Sequence, residues 1–261
     1  MANLRSIRSM TGAAAAYATP FADIEDLAAL ASVTKLASMH PAFVSVDGRI
    51  NEVLNLANAA DPFTNNVAGR GPAFTVDPLL GRQTAVFDAA QDDFLATAQP
   101  FNWSGAWTVA AVGRVTEVPG DIFQNVVGDF SSTAADAAGI IAQSSGGVNR
   151  LTNRSGTIPG GASYARAEYV GGALFYAVAT SDGLSRTAFR LNKGAFDRQD
   201  MNALPSVGTM DFRIGHNIAN SSMEGAVDFV IGVQGEDWSQ PANAASLALL
   251  DAYVMIAYGA I

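Results

Sequence analysis

The chain has 261 residues, 24 acidic against 15 basic side chains for a formal net charge of -9, 49% hydrophobic residues, 25 glycines, 10 prolines and no cysteine. At this length a chain buries roughly 70 to 75% of its unfolded surface, so it folds, and the missing cysteines exclude disulfides, thiolate zinc sites, iron-sulfur clusters and thiol nucleophiles. Only His40 and His216 are present, which excludes a histidine-rich metal centre, and the acidic balance argues against nucleic acid as a partner.

No run reaches the 18 or more apolar residues of a membrane span, so no membrane insertion is expected. Charged residues make up only 15%, and much of the exterior must therefore be Ser, Thr, Asn, Gly and Ala. The opening MANLRSIRSMTGAAAAYATP lacks a leucine-rich stretch before a cleavage site and reads as retained chain rather than a signal peptide. Residues 1–20 fit either a frayed terminus or a strap on a neighbouring subunit.

The first helical pattern is predicted from Asp23 to about Ser38. Ile24, Leu27, Leu30 or Ala31, and Leu36 form its apolar side, acidic residues occupy its first turn, and His40 with Pro41 end it. From residue 41 the vocabulary becomes all-β. Phe43 to Val46 is a strand leading into a tight turn at Asp47-Gly48, and residues 59–83 read as a long polar, glycine-rich link. QTAVFDAAQDDFLAT supplies two short strands around a turn at 89–93. The run from Trp107 to Val115 alternates with period two and belongs in a sheet.

Between 118 and 166 the strand candidates are weaker, at Asp121 to Val127, Gly139 to Gln143 and Val148 to Thr152. Gly172 to Thr180 and Ser185 to Asn192 form the next pair, joined by the turn Ser181-Asp182-Gly183, and residues 209–215 and 226–233 are further strands. A last helix follows, with Ser239 as cap, Pro241 in the first turn, Leu247, Leu250, Val254 and Tyr258 at helical spacing, and Gly259 as its stop. Short strands without intervening helices favour a sandwich or jelly roll over a parallel sheet.

The run from residue 84 onward resembles the LamG-like members of the concanavalin A-like lectin and glucanase superfamily. The likeness is carried by QTAVFDAAQDDFLAT, WTVAAVGRV, LFYAVATSDGLSRTAFRLNKG, FRIGHNIANSSMEGAVDFVIG and LLDAYVMIAYG, about two thirds of the chain. Ala89 stands where the family has a glycine after Phe-Asp. The resemblance implies a mainly β, concanavalin A-like antiparallel sandwich or jelly roll, here with an N-terminal helical arm and a C-terminal helix. The economical division is residues 1–40 as an arm for attachment or oligomerisation and 41–261 as the sandwich.

Family members that hydrolyse β-glucans need two glutamates and an aspartate on one strand face, one to protonate the leaving oxygen and one to attack the sugar. The matching region offers only Glu224 and Asp228, expected to make solvent-facing or turn hydrogen bonds, so no catalytic residue is assigned and no enzyme is expected. His40 and His216 stand in no nucleophile motif, and Gly146-Gly147 and Gly160-Gly161 lack a phosphate-loop context. Asp92-Asp93, Asp182 and Asp211 lack EF-hand spacing; the resemblance alone implies room for a calcium ion at the sandwich rim, with no other cofactor and its ligands unknown.

Sugar recognition needs a ring to cover a sugar face and polar groups to bind hydroxyls. Among Trp103, Trp107, Tyr164, Tyr169 and Trp238, the loop residues Trp103 and Tyr164 are the expected binding rings, with Asn217 and Asn220 as polar partners. Trp107 is expected in the core, and Trp238 as a staple for the last helix.

The leading expectation is a noncatalytic bacteriophage virion protein made in the host cytoplasm: a capsid decoration, head-fibre or tail-associated component exposing a lectin-like domain. Its partners would be virion proteins, copies of itself and cell-surface glycans. The alternative is an independent carbohydrate-binding module, and a glycoside hydrolase is the third reading.

Overall fold

The chain is known from a computed structural model describing residues 24–39, 42–44, 47–65, 67, 69–116, 123–130, 137–145, 148–155, 164–202, 204, 209–215, 222–259 and 261. A helical turn, α1 (24–28), precedes strand β1 (Val33–Ser38). Next come β2 (Ala42–Val44), β3 (Ile50–Val53), β4 (Phe63–Thr64), β5 (Ala73–Asp77), β6 (Arg82–Phe87), β7 (Phe94–Thr97), β8 (Phe101–Asn102) and β9 (Ala106–Val115). The second half supplies β10 (Phe123–Phe130), β11 (Ala137–Ser145), β12 (Val148–Ser155), β13 (Arg166–Glu168), β14 (Leu174–Asp182) and β15 (Arg186–Leu191). It closes with β16 (Asp197–Asp200), β17 (Thr209–Met210), β18 (Arg213–Gly215), β19 (Gly225–Gln234) and helix α2 (Ala244–Tyr258).

Two antiparallel sheets form a sandwich. The first runs β16-β15-β14-β9-β19-β6-β5, with β1 also on β19; the second runs β13-β12-β11-β10-β18-β7-β4-β3-β2, while β8 and β17 pair separately. On one edge of β19, residues 225–227 pair with β6 and residues 229–233 with β1, and the register slips between them at Asp228.

The inner face of the first sheet carries Trp107, Val109, Ala111, Phe175, Ala177, Val227 and Val230, which join Val53, Phe63, Leu95, Val127, Ile140, Leu151 and Ile214 of the second sheet in one core. Its outer face carries Ala110, Val112, Tyr176, Val178, Phe229 and Ile231, covered by Ile24, Leu27 and the α2 residues Leu250, Tyr253 and Val254. The order of layers is thus helices, sheet, sheet. Strand β9 is buried on both faces, which is why its apolar run is nearly continuous. Each such large side chain contributes about 1.5 to 3 kcal/mol by leaving water.

Three expectations are corrected. The helix predicted over 23–38 is, among the described residues, only the turn at 24–28, and Val33–Ser38 is a strand; residues 1–23 of the expected arm lie outside the described residues. Leu27, Leu30 and Leu36 do recur at helical spacing, but β6 leaves the 229–233 edge of β19 unpaired and β1 fills it, a tertiary demand that overrides local propensity. The link predicted over 59–83 contains β4, β5 and the start of β6; β4 is two residues long and β5 is half-exposed, so neither carries a clear period.

The third correction is the cap of α2. Asp237, not Ser239, organises the entry: its carboxylate accepts from the Ser239 N–H and the Gln240 side chain at 2.8 Å, and its carbonyl accepts from the Asn243 side chain. A 3-10 turn at Pro241–Asn243 then starts the helix at Ala244. Gly259 ends it as expected, with φ 75° and its N–H donating to the Met255 carbonyl at 3.0 Å. The strands expected over 107–115, 139–143, 148–152, 172–180, 185–192 and 226–233 are present. That expected over 209–215 is split into β17 and β18 in different sheets, and β3, β8, β13 and β16 lie outside the expected strands. QTAVFDAAQDDFLAT crosses between the layers, its first strand in one sheet and its second in the other.

Candidate recognition face

The register of β10 to β13 decides which side chains leave the core. Ile140, Ala142 and Leu151 face inward, so their neighbours Ile141, Thr152 and Arg154 lie on the outer face of the second sheet. Across the strands, Phe123 stands opposite Gln143, which faces Arg150 and then Glu168. The next row is Asn125, Ile141, Thr152 and Arg166. The third is Gly128, Gly139 and Arg154.

Two glycines beside Arg154 leave the sheet without side chains at that point. The approach is close: Gly139 has φ 130°, and a Cβ there would collide with the Val127 carbonyl oxygen. The Arg154 guanidinium carbon lies 4.8 Å from the Phe123 ring centre and 5.4 Å from that of Tyr164, a pair of cation-π contacts. Phe123 in turn packs on buried Ile141.

Three polar atoms on this face are buried without a hydrogen-bond partner: Arg154 Nε, Thr152 Oγ1 and Asn125 Oδ1. Thr152 is 2% and Asn125 0% exposed, so water does not reach them freely. Unpartnered buried polar atoms each cost about 1 to 3 kcal/mol, and these three are among eleven side-chain atoms so placed in the described residues. Arg166 and Glu168 are exposed at its edge, where Glu168 pairs loosely with Arg150 at 3.8 Å.

The residues predicted from sequence are spread apart. Tyr164 is half-buried against Arg154, within this face. Trp103 is corrected: it is fully buried, its ring 4.5 Å from Phe101, 5.2 Å from Trp107 and 5.9 Å from Phe212, so it has no side free for a sugar. The loop carrying it folds inward, where its carbonyl accepts from the Trp107 indole at 3.1 Å. Asn217, Asn220, His216 and His40 lie outside the described residues, as do Gly146-Gly147 and Gly160-Gly161.

Trp107 and Trp238 are buried, the latter between the first sheet and α2, and Tyr169 packs edge-on against Phe175. Arg154, Thr152, Phe123 and Asn125 were not singled out by sequence. The signal was the alternation Arg150, Thr152, Arg154, a polar stripe on a strand whose other side is apolar at Leu151.

Four buried carboxylates and the half-buried Asp251 are engaged in holding the fold. Asp61 pairs with Lys35, Asp77 with Arg114, Asp93 with Arg49, Asp228 with Arg82 and Asp251 with Arg190. Burial alone would raise Asp77, but Arg114 and the N–H groups of Leu80 and Leu79 hold it below the ordinary carboxylate value. Asp93 is raised, because burial outweighs Arg49 and the Asp88 N–H. Asp228 is fully buried rather than solvent-facing, while exposed Glu224 accepts from the Ala89 N–H at 3.0 Å.

The aspartates weighed for calcium are likewise engaged. Asp182 accepts from three backbone N–H groups at 2.8 to 2.9 Å, Asp211 pairs with Arg213, and Asp92 accepts from Ser222. Among the described residues no group of three or more His, Asp or Glu side chains is arranged to hold a metal ion. Among them, too, no helix is long and apolar enough to cross a membrane.

No family model and no curated protein matches the chain. Solved structures do. The binding domain of Paraclostridial Mosquitocidal Protein 1 is similar at 10% identity with a TM-score of 0.52, covering 86% of this chain and 53% of that one. Trypanosoma rangeli sialidase matches at 9% identity and a TM-score of 0.47 over 91% of this chain and 38% of its own. A tailspike protein of an Escherichia coli bacteriophage matches at 10% identity and a TM-score of 0.47 over 79% of this chain and 27% of its own. The chain thus spans about half or less of these relatives' lengths. At such identity the first likeness establishes the β-sandwich architecture alone.

Proposed function

We propose that this chain is a noncatalytic recognition module: a LamG-like sandwich exposed on a bacteriophage virion as a capsid decoration, head-fibre or tail-associated component. Virion proteins and copies of the chain are its partners, and cell-surface glycans are its ligand class. The observation that carries the recognition role is the Arg154 guanidinium beside the half-buried rings of Phe123 and Tyr164 on the outer face of the second sheet. Two further points support it. The buried acids that chemistry would use are tied into ion pairs, and a solved domain of similar fold bears the name of a binding domain. The virion setting rests on the sequence resemblance.

Two measurements test this. Mass spectrometry and cryo-electron microscopy of purified particles should find the chain at a fixed copy number with the face around Arg154 outward. A glycan array should return at least one saturable ligand. A chain absent from every particle would remove the virion setting and leave an independent carbohydrate-binding module. A chain that binds no glycan and hydrolyses one would overturn the recognition role itself.

A further inference from the structure

We propose that the exposed face of α2 is a docking surface for α2 of a second copy of the chain, the two helices running antiparallel about a two-fold axis. The inference rests on the reading above that copies of the chain are partners, and names the surface by which they meet.

A helix that is apolar all round is a helix with every side covered. In α2 the side toward the sheet is Leu250, Tyr253 and Val254, while Ala244, Ala245, Ala248, Ala252, Met255 and Ile256 face outward, with Met255 56% and Ile256 50% exposed. None of these six is polar, and the one charged side chain of the helix, Asp251, is tied to Arg190.

The charge of the molecule selects the occupant. At a formal net charge of -9, two copies repel each other across most of their surfaces. They can approach where neither presents a charge, and this face presents none. A charged partner finds nothing on it to pair with.

The spacing makes the face complementary to itself. Ala245, Ala248, Ala252 and Met255 recur at intervals of three, four and three residues, the seam of a two-helix contact. That seam is symmetric about Leu250: Ala248 and Ala252 stand two residues to either side of it, Ala245 and Met255 five. Turning a second copy end for end about this level sets Ala248 beside Ala252 and the long Met255 beside the methyl of Ala245, twice over, as an isologous contact requires. A parallel pair would crowd Met255 against Met255. The antiparallel pair also brings each helix N-terminus to the partner's C-terminus. There exposed Arg198, held on the Ser239 carbonyl at 3.0 Å, meets the negative end of the other helix dipole.

A helix of 15 residues is about 22 Å long, so one such face lies at the small end of specific interfaces. The dimer is therefore expected to be weak in free solution and populated where an assembly holds copies close together, at effective concentrations of about 1 mM.

The test is sedimentation equilibrium of the full chain, with dimer half-formed between about 10 μM and 1 mM. Ala248→Glu and Ala252→Glu each put a carboxylate from both copies into the seam and should weaken association by about tenfold or more. Both sites are exposed and Glu is a good helix former, so the melting temperatures should match the parent's. The absence of cysteine from the chain allows a second measurement. In a mixture of Ala248→Cys and Ala252→Cys chains, a short bismaleimide should join unlike chains in preference to like ones. Preferred like-to-like products overturn the antiparallel register. Undiminished association of both Glu variants overturns the inference and leaves copies of the chain as partners through another surface. A chain that stays monomeric to about 1 mM overturns both, whether it remains free or floats with phosphatidylcholine vesicles.

Discussion

Tyr258, on the last turn of α2, donates its hydroxyl to the Asp228 carboxylate at 2.8 Å, so the C-terminal helix is tied to the one place where β19 slips in register. Arg82, from the strand paired beside that slip, donates to the same Asp228 oxygen, Oδ2, and its guanidinium carbon lies 4.5 Å from the Tyr258 ring centre. At the far edge of the helix Asp251 repeats the arrangement, accepting from Arg190 and, at 2.9 Å, from the Tyr176 hydroxyl. Helix α2 is apolar on nearly every side, with Ala248, Ala252, Met255 and Ile256 exposed. Its sequence therefore does not say which side faces the sheet; these two polar ties fix its rotation.

Those ties make the helix layer sensitive to alkali. Burial raises the phenols of Tyr176, Tyr253 and Tyr258, and the nearby charges of Asp251 or Asp228 push in the same direction against Arg190 and Arg82. A phenol raised in the folded state contributes stability that is whole below its unfolded value of about 10 and is lost as pH climbs from there through the folded value, because the unfolded chain releases its proton first. The melting temperature is expected to be level from neutrality to about pH 9 and to fall steeply above about pH 10. Thermal melts across that range, read beside tyrosinate absorbance, check this. Tyr258→Phe should cost about 1 kcal/mol at neutral pH and make the alkaline fall shallower. A melting temperature unchanged well above pH 10 would show that these phenols are not held by the fold.

Lys35 and Asp61 form a buried ion pair between β1 and the loop before β4, each at most 2% exposed. The pair is well supplied with partners: Lys35 also donates to the Gln99 carbonyl at 2.8 Å, and Asp61 accepts from the Gln99 N–H at 2.9 Å. Asn55 braces it by donating to the carbonyls of Thr34 and Asp61 at 3.1 Å. Removing one partner leaves a buried charge alone, so Asp61→Ala should cost about 3 to 5 kcal/mol in urea unfolding. The double change Lys35→Met with Asp61→Leu should recover most of that loss, since two apolar side chains avoid the desolvation of both ions. If the double variant is no more stable than Asp61→Ala, the pair stabilises through its geometry rather than merely avoiding an orphaned charge.

Much of the sandwich was legible because its strands sit between turn residues: Asp47-Gly48, Asp182-Gly183 and Asn192-Lys193-Gly194 each lie at a chain reversal. What stayed hidden was decided by tertiary pairing. Val33–Ser38 has helical spacing to its N-terminal side and becomes a strand only because β19 has an edge to fill. The recognition face was half legible. Tyr164 stood out as a loop aromatic, but Arg154 could not be matched with Phe123 without the register of three strands, and nothing local distinguishes a ring such as Trp103 that folds inward from one that stays at the surface.

Trp103 tests that distinction. Its ring is packed by Phe101, Trp107 and Phe212, and the last of these is nearly parallel at an interplanar angle of 9°. Trp103→Ala should therefore cost about 3 to 5 kcal/mol through the cavity left behind. Glycan binding by the fraction that remains folded should be unchanged. Tyr164→Ala should do the reverse, with a melting temperature close to that of the parent and weaker binding. Calorimetric titration beside a urea curve for each variant separates the two, and loss of binding in folded Trp103→Ala would return that ring to the site.

Gly139 offers the sharpest test of the floor beside Arg154. Its φ of 130° is a conformation that side chains rarely adopt, and an added methyl would meet the backbone of Val127 and Gly128 across the strand, which cannot swing away as a side chain would. Backbone strain of this kind costs about 1 to 3 kcal/mol, and the collision with the neighbouring strand adds to it. Gly81 is the control: its φ of 66° is also left-handed, but nothing lies within 4 Å of an added Cβ, so Gly81→Ala should cost only about 1 kcal/mol. Urea unfolding of the two variants should show Gly139→Ala the weaker by a clear margin. Because β10 and β11 would have to part to admit the methyl, its folded fraction should also bind glycan less tightly. Equal stability of the two variants would mean that the β10–β11 approach is looser than its geometry requires.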